Sequence, residues 1–266
     1  MPTSWYGAYL FDLDGTIYLG DTVLPTVDAA LRRIRRRGIP IRFLSNNPTK
    51  TPQDYLAKLT RLGLAAELSE ITNTLVTTTL WLTRHWPDAK VFPIGEQPLA
   101  DALRQAGIEL CDDPGQIDIV LASYDRTFVY RKLQIAFDAL WLHKHAVLMS
   151  TNPDRYCPFP GGRGEPDAAA IVAAIEACTG VACQRTFGKP SRQMLDVIAE
   201  GLGVPVERAV MVGDRLMTDI AMARRAGMDA ALVLTGDSTR GQINGVPPDQ
   251  RPTWVLERLE DLLPVE

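Results

Sequence analysis

Two acidic residues separated by one position stand at the end of a short apolar run near the start of the chain. The run covers residues 8–11 and continues into Asp12, Leu13 and Asp14, with Gly15 directly after them. Apolar runs of this length are typical of buried strands. A strand that ends in two carboxylates is costly unless a cation or a reaction needs them there. The alternative interpretation is a strand that runs into an ordinary acidic turn.

Other loops of the chain also carry charged or polar side chains at the predicted ends of strands. They contain Ser45 and Asn46 after residues 39–44, Lys189 between Gly188 and Pro190, and Asp214 and Asp219 after residues 209–212. Each has an ordinary explanation: an Asn-Pro turn before a helix, an exposed lysine, or a carboxylate favoured by a helix N-terminus. Ligands of an open parallel sheet bind at the carboxyl ends of its strands, so a common site is the competing interpretation.

Strands and helices are predicted to alternate, which is the βαβ pattern of a parallel sheet. Strands are predicted over residues 8–11, 39–44, 90–94, 117–122, 146–150, 209–212 and 230–234. Helices are predicted over residues 25–37, 51–62, 73–85, 98–106, 130–143, 168–178, 194–201, 218–226 and 255–263. Residues 151–167 are polar and rich in proline and glycine, which predicts a long loop of a kind that is usually functional.

Composition and charge exclude several classes of protein. The chain has 266 residues, 46% hydrophobic and 23% charged, which is typical of a globular protein with a large core and a second small domain. Its net charge of −4 argues against nucleic-acid binding. The arginines of the helix predicted over 25–37 are interpreted as its solvated face, because an apolar stripe already defines its inner side.

No membrane segment, signal peptide or disulfide framework is predicted. No apolar stretch reaches the roughly 20 residues that a membrane span needs, and the N-terminus lacks a basic and apolar leader. The four cysteines have no C-x-x-C spacing and the three histidines form no metal motif. Free thiols and a cytoplasmic location are therefore expected.

The order of these motifs resembles the haloacid dehalogenase superfamily. The motifs are D-x-D-G-T from Asp12, L-S-N-N around Ser45, G-K-P-S around Lys189 and G-D-R-L-M-T-D from Gly213. The resemblance is strongest to the branch of pyridoxal phosphate, phosphoglycolate and NagD-like phosphatases. It implies an α/β fold, with a Rossmann-like core of parallel strands and an inserted αβ C2-type cap. The core is then predicted over 1–86 and 185–266, and the cap over 87–184.

The two N-terminal acids suit phosphate-ester hydrolysis. A carboxylate attacks phosphorus when a cation removes the charge repulsion, and water then cleaves the aspartyl-phosphate. Asp12 is predicted to be the nucleophile, and Asp14 the acid that protonates the leaving oxygen and then takes a proton from water. A dehalogenase has no need of that second acid, so Asp14 favours phosphoryl transfer.

The remaining motifs are expected to bind phosphate and metal. Ser45, the backbone N–H of Asn46 and the charge of Lys189 suit phosphate oxygens. The resemblance implies that Asp12, the backbone carbonyl of Asp14, and Asp214 bind Mg²⁺, with Asp219 supporting the metal shell. Hard oxygen ligands favour Mg²⁺ over zinc.

The predicted cap carries weaker signals. Residues 122–125 resemble the G-Y-D segment of such caps, with Ser123 in place of glycine, and residues 151–154 match their T-N-x-D. Where relatives carry P-G-x-G, this chain has a stiffer, acidic segment from Arg163. Tyr156, Arg163 and Glu165 are candidates for substrate contact, with ordinary polar loop residues as the alternative.

The sequence as a whole predicts a Mg²⁺-dependent phosphatase of small phosphorylated metabolites, such as a sugar phosphate or phosphoglycolate, that also acts on p-nitrophenyl phosphate. The alternatives are a phosphotransferase or phosphomutase on the same fold and a non-catalytic binding protein. The partner is then a small phosphorylated metabolite rather than nucleic acid or membrane. The resemblance also implies that a homodimer through the cap is an available assembly.

Overall fold

Strands and helices alternate along the chain in the computed structural model, which describes residues 2–159 and 163–265. The strands are β1 (Ala8–Asp12), β2 (Tyr18–Leu19), β3 (Thr22–Val23), β4 (Ile41–Ser45), β5 (Ile71–Asn73), β6 (Lys90–Ile94), β7 (Glu109–Leu110), β8 (Ile119–Ala122), β9 (Val147–Ser150), β10 (Tyr156–Phe159), β11 (Arg163–Pro166), β12 (Arg185–Thr186), β13 (Ala209–Gly213), β14 (Asp229–Val233) and β15 (Trp254–Leu256). The helices are α1 (Val27–Arg36), α2 (Pro52–Arg61), α3 (Thr74–His85), α4 (Gln97–Gln105), α5 (Tyr130–Phe137), α6 (Ala168–Thr179), α7 (Arg192–Glu200), α8 (Ala221–Arg225) and α9 (Arg240–Ile243).

The first compact unit contains residues 2–45, 52–72 and 189–265. Its sheet has the order β15-β14-β13-β1-β4-β5, and β1 pairs in parallel with both β4 and β13. Both faces of β1 are buried: Tyr9 and Phe11 pack in one apolar cluster, and Ala8 and Leu10 in another. A parallel strand covered on both faces reads as a continuous apolar run, which is why residues 8–11 are apolar throughout.

Of the described residues, the second compact unit contains 46–51, 73–159 and 163–188. It has its own sheet, in the order β12-β9-β8-β6-β7, whose strands pair in parallel. Apolar clusters cover both faces of this sheet as well. The α/β fold with a parallel core sheet and an inserted α/β unit is confirmed, whereas the domain bounds 1–86, 87–184 and 185–266 stay a prediction.

The helix predicted over 255–263 is wrong. Trp254–Leu256 forms β15, which pairs in parallel with β14, and Leu259–Leu262 forms a 3-10 turn. Leu256, Leu259 and Leu262 are all buried. Their spacing of three imitates the buried stripe of a helix, but a strand followed by a tight turn buries the same side chains.

The loop predicted over 151–167 is partly wrong, because it contains an antiparallel ribbon of β10 and β11. The prolines at 158 and 166 lower the β-strand propensity of these segments, so the sequence does not predict strands there. They are tolerated because a two-stranded ribbon leaves outward N–H groups that need no ladder partner.

Two predicted helices are irregular. The helix predicted over 130–143 ends in a π-helical turn at Asp138–His143. The helix predicted over 218–226 starts two residues earlier, in a π-helical turn at Leu216–Ile220. The four cysteines are free thiols. Within the described residues, no helix has the length and apolar character needed to cross a bilayer.

Candidate active site

Asp12 ends β1 and is paired with Lys189. The Lys189 Nζ lies 2.5 Å from Asp12 Oδ1 and 2.7 Å from Asp219 Oδ1. Lys189 is 2% exposed, so its ammonium group is held by carboxylates rather than by bulk water. Buried charges of this kind persist only when they are paired. The chain therefore folds so that residues 177 positions apart neutralise each other.

Three carboxylates gather beside this lysine. Asp12, Asp214 and Asp219 each offer an oxygen, and these oxygens lie within 4.8 Å of one another. The sheet explains the convergence, because β1 and β13 are parallel neighbours and their carboxyl ends lie at the same edge. Asp214 follows β13 directly, and Asp219 lies in the π-helical turn after it.

The acid cluster favours protonation. Burial, and then the charges of Asp219 and Asp214, raise the pKa of Asp12 well above its ordinary value, against the lowering effect of Lys189. Burial and the charge of Asp219 raise the pKa of Asp214 to about 7. Burial would lower the pKa of Lys189, but Asp12 and Asp219 raise it above its ordinary value. Burial is therefore the main cause of the raised pKa of Asp12 and of Asp214, and the excess of carboxylates over the single ammonium group adds to it.

Glycines let the backbone approach Asp214 closely. A Cβ on Gly236 would lie 1.9 Å from Asp214 Oδ2, and a Cβ on Gly15 would lie 2.6 Å from it. The N–H of Asp237 donates to the same oxygen over 2.7 Å, and Thr235 donates its hydroxyl to the Gly15 carbonyl over 2.6 Å. Residues 235–238 were not predicted as part of the site. The sequence does contain an indication of their role, because the polar residues Thr-Gly-Asp-Ser at 235–238 follow an apolar strand, as the other site loops do.

Asp14 is placed by two groups that the sequence argument missed. Lys58 Nζ lies 3.8 Å from Asp14 Oδ1, and the Tyr18 hydroxyl donates to Asp14 Oδ2 over 3.4 Å. Lys58 also lies over the Tyr18 ring, 3.6 Å from its centroid. The side chain of Asp14 is 53% exposed and is not part of the three-carboxylate cluster. Asp14 is therefore available to a ligand while its carboxylate is oriented from one side.

The predicted phosphate-binding residues fall on either side of a unit boundary. Ser45 belongs to the first unit, where its hydroxyl shares a 2.8 Å hydrogen bond with the Tyr55 hydroxyl. Asn46 belongs to the second unit, where its amide donates to Asp154 over 2.8 Å. The first unit thus holds Ser45 in place, and the second unit holds the side chain of Asn46.

The ribbon of the second unit separates the three candidate substrate contacts. Glu165 is paired in register with Cys157 and Arg163 with Phe159, whereas Tyr156 is paired with Pro166. Alternate residues of a strand point to opposite faces, so Arg163 and Glu165 share one face and Tyr156 lies on the other. Glu165 accepts a hydrogen bond from Tyr124, while Arg163 and Tyr156 are exposed.

The carboxylate cluster fits a hard divalent cation. Its donors are all carboxylate oxygens, as Mg²⁺ prefers, and they carry more negative charge than Lys189 neutralises. The close approach of Gly236 and Gly15 fixes Asp214 where an ordinary side chain at either position would displace it. The side chains of Asp12, Asp214 and Asp219 therefore fit a divalent cation, whereas the side chain of Asp14 is not part of the cluster.

Two family models match the chain. Residues 9–109 match the model described as haloacid dehalogenase-like hydrolase. Residues 186–262 match a second model, described as HAD-hydrolase-like. The matched ranges include the buried cluster of Asp12, Lys189, Asp214 and Asp219, whereas Tyr156, Arg163 and Glu165 lie outside them.

Curated relatives are similar over nearly their whole length. The chain is 32% identical to sugar-phosphatase AraL of Bacillus subtilis over 253 residues, which covers 95% of this chain and 90% of the relative. It is 34% identical to acid sugar phosphatase of Staphylococcus aureus over 246 residues, which covers 91% of this chain and 93% of the relative.

Solved structures share the fold. A 4-nitrophenylphosphatase from Thermotoga maritima superposes with a TM-score of 0.89 at 32% identity, covering 97% of this chain and 96% of that one. A p-nitrophenyl phosphatase from Archaeoglobus fulgidus superposes with a TM-score of 0.87 at 28% identity, covering 97% and 98%.

Proposed function

This chain belongs to the haloacid dehalogenase-like hydrolases and is a phosphatase of that family, and on that premise we propose that it is a Mg²⁺-dependent phosphatase of small phosphorylated metabolites. The observation that carries the proposal is the buried group in which Lys189 joins Asp12 to Asp219, with Asp214 beside them. A merely structural ion pair would not need two further buried acids.

The first step of the proposed reaction forms a bond between Asp12 and phosphorus. The Asp12 carboxylate attacks the phosphoryl group, the bond to the leaving oxygen breaks, and protonated Asp14 gives its proton to that oxygen. Lys189 favours the ionised form of Asp12 that this step needs. Lys58 and Tyr18 hold Asp14 so that it reaches the leaving group in a fixed orientation.

The second step returns the enzyme to its starting state. Asp14, now a carboxylate, takes a proton from water, and the water oxygen attacks phosphorus and releases Asp12 and inorganic phosphate. Ser45, the backbone N–H of the next residue Asn46, and Lys189 are proposed to bind the phosphate oxygens. Donors aimed at oxygens that gain charge in the transition state are often the largest contribution to catalysis.

The proposed metal ligands are Asp12, Asp214, Asp219 and the backbone carbonyl of Asp14. A bound Mg²⁺ would supply positive charge that offsets the repulsion between the carboxylates and the phosphate ester. The excess of carboxylates over ammonium groups in the cluster supports this assignment.

The proposed substrates are sugar phosphates and similar metabolites such as phosphoglycolate, with p-nitrophenyl phosphate as a test substrate. The names of the sugar phosphatase relatives support the first choice. Tyr156, Arg163 and Glu165 of the second unit are proposed to contact the leaving group, and a homodimer through that unit is the proposed assembly.

Release of p-nitrophenol tests the proposal. We expect turnover with Mg²⁺, none above background with excess EDTA, and a loss on the order of 10³-fold or more in Asp12→Asn, because the nucleophile is removed. The matched control is Asp28→Asn, a half-exposed aspartate on α1 that pairs with Arg32, and it should keep full activity. Undiminished turnover in Asp12→Asn would contradict the proposal.

A further inference from the structure

The T-N-P-D segment that follows β9 carries a buried polar network. Asn152 donates to Asp154 over 3.0 Å and to Asp167 over 2.9 Å, and all three residues are 7% exposed or less. Asp167 in turn caps α6 through the N–H of Ala168. Buried polar groups hold one arrangement when their hydrogen bonds are satisfied. This network is therefore a rigid base within the second unit.

Asn46 is attached to this base. Its amide nitrogen donates to Asp154 Oδ2 over 2.8 Å, the same oxygen that accepts from Asn152. Its carbonyl accepts from the buried hydroxyl of Thr74 over 3.2 Å. Asn46 is thus held at both its side chain and its backbone.

Gly188 is packed against the same two asparagines. A Cβ on Gly188 would lie 2.7 Å from Asn46 Oδ1 and 3.0 Å from the Cβ of Asn152. The chain changes units between Ser45 and Asn46, and again between Gly188 and Lys189. The residues that lie next to Ser45 and Lys189 in the chain therefore contact each other and the T-N-P-D segment.

We propose that Asp154, supported by Asn152, is a positioning residue for phosphate binding. It fixes Asn46, which follows Ser45 in the chain. Asn46 in turn contacts Gly188, which precedes Lys189. The inference rests on the proposed function and deepens it. It predicts that this segment of the second unit sets the affinity for the phosphoryl group itself and does not select the leaving group. A network that only caps α6 would affect stability alone.

A pair of variants at position 154 tests the proposal with inorganic phosphate as the probe. Asp154→Ala removes the acceptor, whereas Asp154→Asn keeps an acceptor oxygen of the same reach. We expect Asp154→Ala to weaken competitive inhibition by phosphate, and to lower kcat/KM, by about 10- to 100-fold, the effect of a displacement near 1 Å. The loss should be equal for p-nitrophenyl phosphate and a sugar phosphate. Asp154→Asn should stay within about threefold of the native enzyme.

A reciprocal exchange keeps the test decisive if Asp154→Ala does not fold. Asn46→Asp places a second carboxylate beside Asp154 and should weaken phosphate binding. Combining Asn46→Asp with Asp154→Asn restores a hydrogen bond between the two positions, with position 154 now the donor. We expect the double variant to recover about tenfold of the single variant's loss, as coupled neighbours do. No recovery, or a folded Asp154→Ala with native phosphate inhibition, would overturn the inference.

Failure of this inference is distinguishable from failure of the proposed function. If the native enzyme is active and Asp12→Asn is inactive, the proposed function stands whatever the Asp154 variants do. A leaving-group-dependent effect of Asp154→Ala would assign Asp154 to substrate selection and overturn its role in positioning phosphate.

Discussion

The carboxylates of Asp12, Asp214 and Asp219 repel one another, and the single positive charge of Lys189 does not neutralise all three. Lys189 pairs with Asp12 and Asp219, while Asp214 is held by the N–H of Asp237. A buried ion pair costs desolvation that only good geometry offsets. The residues proposed to carry out the reaction are therefore the ones whose burial costs the most free energy when no ligand is bound.

The pH dependence of stability follows from Asp214. Its pKa in the folded protein is about 7, above that of an unfolded aspartate, so the folded state binds the proton more tightly. We expect the metal-free protein to lose stability as pH rises from about 4 to about 7, by about 1.4 kcal/mol per unit of pKa difference. Asp12, whose pKa is also raised, contributes in the same direction.

Denaturant unfolding in EDTA across this pH range measures the effect. The side chain of Asp214→Asn cannot ionise, so this variant should lose less stability over this pH range than the native protein, with the contribution of Asp12 remaining. Asp28→Asn on the surface of α1 should leave the curve unchanged. A native protein whose stability rises between pH 4 and 7 would contradict the assignment. Saturating Mg²⁺ should remove the loss, because the metal favours the carboxylate form.

The loss of activity when Lys58 is replaced should be larger for substrates whose leaving oxygen must be protonated. Lys58→Met removes the ammonium group 3.8 Å from Asp14, so the carboxyl loses one of its two orienting partners. We expect kcat for a sugar phosphate to fall about tenfold or more, since general acid catalysis contributes about 10²-fold or more. Turnover of p-nitrophenyl phosphate should fall less, because p-nitrophenolate leaves readily without a proton.

Steady-state kinetics of the two substrates in one preparation provides the measurement. Asp14→Asn is the reference variant and should show the same preference for p-nitrophenyl phosphate, and Lys58→Arg should retain most of the sugar phosphate activity. Equal losses on both substrates in Lys58→Met would show that Lys58 does not act through Asp14.

At the scale of elements, the site depends on three loops that meet at one edge of the parallel sheet. They follow β1, β13 and β14, which are consecutive neighbours in the sheet order. The loop after β14 is held to the loop after β1 by the bond from Thr235 to the Gly15 carbonyl, and to Asp214 by Asp237. Sheet order, rather than proximity in sequence, brings these loops together.

Gly236→Ala tests this packing against a matched glycine. The added methyl group would lie 1.9 Å from Asp214 Oδ2, so Asp214 must move. We expect the Mg²⁺ concentration for half-maximal activity to rise by about tenfold or more, the usual cost of disturbing the support of a metal ligand. Gly241 lies in α9, where, among the described residues, no atom beyond its chain neighbours and the backbone of its own helix is within 4 Å of the position that a methyl group would take. Gly241→Ala should therefore leave metal activation unchanged.

Metal titrations of activity and of thermal stability measure both variants. A shift in Gly236→Ala without one in Gly241→Ala is the expected result. Identical Mg²⁺ dependence in both variants would mean that Asp214 does not contribute to metal binding.

At the scale of the whole molecule, the two units carry different parts of the proposed reaction. The first unit contains the buried cluster of Asp12, Lys189, Asp214 and Asp219, with Asp14 and Ser45. The second contains Asn46 and the β10–β11 ribbon with Arg163 and Glu165 on one face. We propose that the first unit performs the transfer and that the ribbon selects the substrate.

Exchanging ribbon side chains should therefore alter the order of substrates. We expect Glu165→Gln and Arg163→Ala to change kcat/KM among phosphorylated metabolites by about 10-fold relative to one another, the scale at which pocket contacts discriminate. Turnover of p-nitrophenyl phosphate should stay within about threefold. Tyr156→Phe tests the third proposed contact, which lies on the opposite face of the ribbon. An unchanged ranking in all three would contradict the proposed role of the ribbon.

The local pattern of the sequence was sufficient for the features that depend on neighbouring residues. An apolar run that ends in Asp12 predicts a buried strand with acids at its tip, and that is what β1 is. The α/β class and the superfamily followed from the order of four such motifs, and both are confirmed. These inferences succeed because strand burial and turn chemistry are decided within a few residues.

Only the tertiary structure decided which distant groups meet. The position of Lys58 and Tyr18 beside Asp14, the approach of Gly236 to Asp214 and the bond from Asn46 to Asp154 join residues that no local pattern links. The leucines at 256, 259 and 262 satisfied a helical spacing and yet form a strand and a turn, because pairing with β14 buries them equally well. Contacts of this kind depend on sheet order and close packing, which the sequence specifies only through the whole fold.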